Sequence, residues 1–437
     1  MISPSGFSGF ALSGRTGDRE FDIVATNRHV DARAGRAQSL RRIETHVPEQ
    51  GVPRMNVSFR RWIPASIVTV MLAFTAVAAQ AQGQGGTGLR ITLSSDTTNL
   101  NATDDVAVTV RITNESGEAV LVPKRYLPSP RATAGVFTVT RDGVPVAYLG
   151  PLVKRGALTA ADFEKIGAGA SLDFSVELSA LYDFSASGVY DIRYDVESVP
   201  TLRGRTATQS AAADRLAVQT AAVPQDLASN TIAMTITADA TTASRALAEE
   251  AASRARDVTP AYAASVSFVG CSNTRTSQVR SALTSAESYA SNSLGYLNAG
   301  TRGSRYTTWF GTYNSSRYSK VRGNFSKISN AVSTKALVFD CGTCPGTEYA
   351  DAYAYVYPSQ PYRVYLCGAF WAAPGTGTDS RAGTIIHEVS HFTVVADTDD
   401  LAYGQSAARS LAISSPSRAI RNADSHEYFA ENTPARN

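Results

Sequence analysis

Lysine is scarce in this chain of 437 residues: of its 41 lysines and arginines only six are lysine, at positions 124, 154, 165, 320, 327 and 335. Histidine is scarcer, five in all, and none falls between His46 and His387. The four cysteines, Cys271, Cys341, Cys344 and Cys367, all lie in the C-terminal part. Residues 47–270 therefore carry neither thiol nor imidazole chemistry. The formal charge of +3 and the lack of any basic run give no case for nucleic acid. With 43% hydrophobic and 18% charged residues the composition is that of an ordinary globular protein, long enough for two or three domains.

Long apolar runs are also nearly absent. The exception is Trp62–Ala79, preceded by Met55-Asn-Val-Ser-Phe-Arg-Arg61 and followed by the small-residue site Ala79-Gln-Ala81. That order is a secretory signal peptide, 55–81, and the run is short for a spanning helix. A signal opens a protein, so residues 1–54 read as an over-extended N-terminus upstream of a start at Met55. The product is expected to be secreted, with no membrane span once the signal is removed.

After a Gly/Gln linker the texture turns to strands. Leu89–Leu93, Val106–Ile112, Val136–Thr140, Leu172–Leu178 and Val189–Val196 alternate apolar and polar residues, with turn signals at Asn114–Gly117 and Arg141–Gly143. Residues 88–200 are expected to form an Ig-like β-sandwich. Residues 201–264, rich in Ala, Thr and Ser, read as a linker or processing region with a strand at Thr231–Thr237 and a helix at Thr242–Ala255. From 265 to 437 an α+β domain is expected. Val279, Leu283, Ala286, Ala290, Leu294 and Leu297 mark one face of a long helix, Asn314–Ala331 a second, and the tyrosine-rich Tyr353–Leu366 reads as short strands.

The chemistry concentrates in Gly383–Gly404, which contains His387-Glu388-x-x-His391. Residues four apart share a helix face, so both imidazoles can reach one metal ion, with Glu388 beside them as general base. A catalytic zinc takes three protein ligands. Asp397 stands where metzincins place the third, but that turn needs a glycine and Val394 occupies its position. Glu427 and Glu431 on a later helix are further candidates, and His426 is the one other histidine nearby. The stretch Asp397-Thr-Asp-Asp400-Leu-Ala-Tyr403-Gly404 resembles the aspzincin signature GTxDxxYG of the deuterolysin family, with Asp397 in place of the first glycine.

The likeness runs from about Gly270 to the C-terminus and is strongest to peptidyl-Lys metalloendopeptidases. Arg305–Gly311, Tyr353–Pro358, Val364–Trp371 and Asn422–Phe429 carry it. The resemblance implies a zincin-type fold with zinc on His387, His391 and Asp400, and Tyr403 donating to the developing oxyanion. It implies disulfides Cys271–Cys341 and Cys344–Cys367, against the rival of a Cys341-x-x-Cys344 zinc or redox pair. Asp424 and Glu427 fall on the acids of the lysine pocket. The protein expected is a secreted zinc endopeptidase made as a precursor, acting on proteins or peptides at the amino side of lysine and held latent by its own prosegment. Without a prosegment cysteine, latency is expected to be steric or to use a carboxylate. A broad-specificity deuterolysin-like peptidase and a secreted binding protein with a degenerate peptidase domain are the alternatives.

Overall fold

The computed structural model describes residues 88–129, 135–203, 223–239 and 266–437, all within one compact unit, Ala76–Asn437. The expected signal peptide, the segment before it and the helix at Thr242–Ala255 lie outside the described residues.

The N-terminal β region begins with β1 (Leu89–Ser94), β2 (Asn99–Asn101), β3 (Ala107–Asn114), β4 (Val120–Pro123), β5 (Phe137–Arg141) and β6 (Val144–Pro145). It continues with β7 (Leu152–Lys154), β8 (Phe163–Ile166), β9 (Ser171–Glu177), β10 (Gly188–Arg203), β11 (Val223–Ala228) and β12 (Ile232–Thr237). Antiparallel β1, β3 and β9 form one sheet, and a second is built around β10. Period-two patterning turns Val108, Val110 and Ile112 of β3 inward, where they share a core with Tyr190, Ile192 and Tyr194 of β10. Part of the stretch read as a linker belongs here: β11 and β12 pair with β10, and Leu227, Met234 and Ile236 enter the same core.

The C-terminal region holds β13 (Ser267–Val269), β14 (Val338–Asp340), β15 (Ala354–Val356) and β16 (Arg363–Leu366). Its helices are α1 (Asn273–Asn298), α2 (Ser304–Phe310), α3 (Ser315–Thr334), α4 (Gly368–Ala372), α5 (Arg381–His391), α6 (Gln405–Ser414), α7 (Pro416–Ala419) and α8 (Ala423–Glu431). The expected apolar face of α1 is buried except for half-buried Leu294, and Ser272 caps the helix by accepting from the Arg275 amide. Asn314 does the same for α3, accepting from the Ser316 and Arg317 amides. Both helices pack beside α5 in the main core. Disulfides Cys271–Cys341 and Cys344–Cys367 form as the resemblance implied, so Cys341-x-x-Cys344 is neither a zinc nor a redox pair. Closing loops of 70 and 23 residues, each contributes about 3–4 kcal/mol by chain entropy.

The five-stranded sheet runs β13-β14-β16-β15-β7. Its first three strands are parallel and β15 is antiparallel to β16. The last strand, β7, comes from the β region and adds antiparallel to β15, with Val153 opposite Tyr355 and Lys154 opposite Ala354. This pairing was not expected from the sequence, and it places a lysine of the β region among the acids of α8.

Candidate active site

Helix α5 starts at Ser380, whose hydroxyl accepts from the Gly383 amide, and everything from Ala382 to His391 is buried. A buried helix can keep polar side chains only if something satisfies them. His387 and His391, one turn apart, aim their Nε2 atoms at Asp400 Oδ1, at 3.0 and 3.4 Å. Ligands sharing one tetrahedral zinc at ordinary bond lengths stand about 3.3 Å apart. Both Nε2 atoms and both Asp400 oxygens are buried without a hydrogen-bond partner, as are both oxygens of Glu388. Two imidazoles and a carboxylate, converging and otherwise unsatisfied, fit a zinc-type cation.

The titration behaviour agrees. Burial opposes ionisation of Asp400, yet His391 and His387 outweigh it and hold the carboxyl far below the usual range. Burial pushes the Glu388 carboxyl up to about 7, against the pull of His387 and His391. A base of that strength can take a proton from water and return it near neutral pH. Burial raises the Tyr403 hydroxyl well above 10, so it stays a donor.

The orientation of each group has a local cause. His391 donates from Nδ1 to the Thr398 carbonyl at 2.7 Å, which leaves its Nε2 lone pair for a metal. On the other imidazole, Asp424 Oδ1 lies 2.8 Å from His387 Nδ1. Asp399 and Asn422 form a parallel bridge, and the Asn422 side-chain oxygen accepts from the Leu401 and Ala402 amides. That clamp fixes the residues on either side of Asp400. Asp399 turns outward to an ion pair with Arg421. Asp397, the metzincin-type candidate, joins no ligand cluster among the described residues. Its φ is +53°, the left-handed conformation for which glycine is the default and which aspartate tolerates better than most residues. The departure from the signature is therefore a substitution of one turn-former for another.

Tyr403 points into the site and donates to the Val153 carbonyl at 3.1 Å. The following residue, Lys154, is 1% exposed; its ammonium lies 2.5 Å from Glu427 Oε2 and 3.3 Å from Asp424 Oδ1. Asp424 is 1% and Glu427 0% exposed, so the acid pair is a closed pocket and not a solvated helix face. Burial works against the ammonium, and Asp424 and Glu427 outweigh it, holding Lys154 charged. Of the two His/Asp/Glu clusters among the described residues, the one made by His387, Asp424 and Glu427 thus already holds a cation.

An extracellular protease of Aeromonas hydrophila is 44% identical over 370 residues, covering 84% of this chain and 98% of the relative. A family profile described as lysine-specific metallo-endopeptidase, Aspzincin, matches residues 296–431. This chain belongs to the aspzincin family of metallopeptidases. Aspzincin relatives include the peptidyl-Lys metalloendopeptidase of Pleurotus ostreatus, 56% identical over 169 residues, 38% of this chain and 98% of that one. The peptidyl-Lys metalloendopeptidase of Grifola frondosa is 35% identical over 380 residues, 84% and 99% of the two chains. A solved zinc peptidase from Grifola frondosa is 51% identical, covering 38% of this chain and all of that one, with a TM-score of 0.36.

In this aspzincin the remaining candidates have structural places. His426 is buried against Phe325, bonded to Asn324 and to the Asn422 carbonyl, and burial lowers its pKa to about 4. It is a neutral core histidine. Glu431 takes the Ser380 amide and hydroxyl and the Asp379 amide, anchoring the start of α5. Asn422, Thr398, Val153 and Lys154 complete the site without being candidates on sequence alone. Asn422 and Thr398 lie in motifs already quoted, but Leu152-Val-Lys154 carries no sequence signal of its own.

Gly383 is required by this packing. A Cβ there would stand 2.1 Å from Glu431 Oε1 and 2.9 Å from Glu427 Oε1. Glu431 is tied by three hydrogen bonds and cannot swing away. Gly383→Ala is expected to cost about 1–3 kcal/mol in denaturant unfolding. An unchanged unfolding midpoint would show that the carboxylates yield freely.

Proposed function

We propose that this aspzincin is a secreted zinc endopeptidase, made as a precursor, that cuts on the amino side of lysine. One observation carries the reading: a lysine ammonium occupies the buried Asp424–Glu427 pocket while Tyr403 donates to the carbonyl just before that lysine. Carbonyl and pocket thus stand in the register of a bond on the lysine's amino side. His387, His391 and Asp400 would hold the zinc, which when bound supplies Lewis-acid polarisation at the scissile carbonyl. Glu388 takes a proton from the attacking water and delivers it to the leaving amine. Tyr403 donates to the carbonyl oxygen as negative charge develops on it. Two carboxylates in a closed pocket repel each other and have lost solvent, so an ammonium relieves both penalties.

The names of the Pleurotus and Grifola relatives support the lysine preference, and the Aeromonas relative's name supports an extracellular location. The signal-like segment after Met55 agrees, and among the described residues no helix is long and apolar enough to cross a membrane. We assign the β region, two sheets around one core, as a sandwich-type prosegment. Of the two forms of latency expected, steric or through a carboxylate, this reading takes the steric one: a lysine-bearing strand lies in the cleft.

Peptide mapping tests the proposal. Digestion of a protein of known sequence with zinc-loaded enzyme from culture medium is expected to give new N-termini that are almost all lysine. New N-termini scattered over residue types would leave only a broad aspzincin peptidase.

A further inference from the structure

Strand β7 does more than obstruct. A bound peptide in a β-augmented cleft needs an edge strand to pair with, a pocket for a side chain and a donor at the scissile carbonyl. Leu152–Lys154 meets all three conditions. It pairs antiparallel with β15, its lysine fills the acid pocket, and its Val153 carbonyl accepts from Tyr403. The Lys154 carbonyl adds a further bond from the Tyr353 amide. Arg125, also of the β region, lays its guanidinium 4.5 Å over the Tyr403 ring. Water is not shut out: a cavity of about 330 Å³, lined by Leu152, Tyr182 and Asp400 among others, reaches the site. A water molecule takes roughly 30 Å³, so several fit.

We propose that Val153–Lys154 is an internal processing site, a bond this protein cuts in itself. The inference rests on the lysine-directed reading above and names the chain's own β region as substrate. Water adds its oxygen to the Val153 carbonyl carbon and the C–N bond to Lys154 breaks. Val153 leaves as a carboxylate, and the Lys154 nitrogen takes up both water protons to become an ammonium. The cut turns a continuous strand into two ends with opposite charges. No cysteine lies before Cys271, so no disulfide joins the fragment ending at Val153 to the rest. The cut does not itself free the C-terminal region. No lysine lies between Lys165 and Lys320, so separation near residue 265 falls to an enzyme of other specificity or to a relaxed second cut.

The test uses the full chain, purified with chelator and then given zinc together with an unrelated lysine-containing peptide. Intact mass and N-terminal sequencing should show wild type converting to two fragments, the second starting at Lys154, with a half-time independent of protein concentration. Glu388→Gln and Lys154→Met should stay whole at this bond. If wild type cuts the added peptide before lysine yet keeps Val153–Lys154 intact, self-processing is overturned and the lysine specificity stands. If this bond is cut while the added peptide is cut at other residues, the lysine specificity fails and self-processing stands.

A second measurement needs no catalysis. In native Glu388→Gln, an amine-acylating reagent should label exposed Lys124 and Lys165 at least about 100-fold faster than Lys154. Equal labelling would show that the lysine is not seated, and would overturn the proposal.

Discussion

Glu388→Gln is expected to retain its zinc and to lose about 10²- to 10⁴-fold in kcat, the range for removing a positioned general base. Asp400→Ala is expected to fail earlier in the sequence of events, losing the metal on dialysis. The two carboxylates are both buried and both unpartnered, yet only Asp400 stands 3.0 and 3.4 Å from the two imidazoles. Glu388 follows His387 on the helix and joins no ligand cluster with the histidines among the described residues. Metal content by atomic emission, run beside turnover of a lysyl peptide, separates the roles. Zinc retained by Asp400→Ala and stripped by Asp397→Ala would move the third ligand and dismiss the present assignment.

The second large effect is expected at the acid pocket. Glu427→Gln should lower kcat/KM for lysyl peptides by roughly 10³-fold, because the pocket loses the carboxylate nearest the ammonium and gains an amide that must find a partner. For norleucyl peptides the loss should be small, since no charge is being matched. Asp424→Asn should cost as much on lysine and more in general. Its carboxylate also approaches His387 Nδ1 and accepts from the Gly404 amide at 2.6 Å, beside Tyr403. Equal losses on lysyl and norleucyl peptides with Glu427→Gln would remove the pocket from the specificity argument.

The metal site was legible because its parts lie close in sequence and obey a helix period. His387, Glu388 and His391 occupy one turn, and Asp400 and Tyr403 follow within a single loop. Long amphipathic stretches such as α1 and β3 could be read for the same reason, since local periodicity records which face is buried. Leu152–Lys154 could not be read this way. All three of its residues are buried, so it shows no alternation, and its partner β15 lies some two hundred residues later. Register between such distant strands is set by tertiary packing alone. The clamp from Asn422 was hidden for a related reason: an asparagine before a helix reads as an ordinary cap. In fact its oxygen serves the Leu401 and Ala402 amides. The glycine position held by Asp397 shows the reverse case, in which a motif mismatch dissolves once the backbone angle is known.

The pairing of β7 with β15 has a further consequence, for solubility. A cleft that binds peptides by strand addition keeps an unpaired row of backbone donors and acceptors at its rim, and such an edge pairs with other chains as readily as with substrate. While β7 is in place the sheet ends on a three-residue strand whose outer side faces Tyr403 and the acid pocket. With β7 seated, that adhesive edge is covered. Conditions that dislodge β7 early should appear first as self-association of the protein.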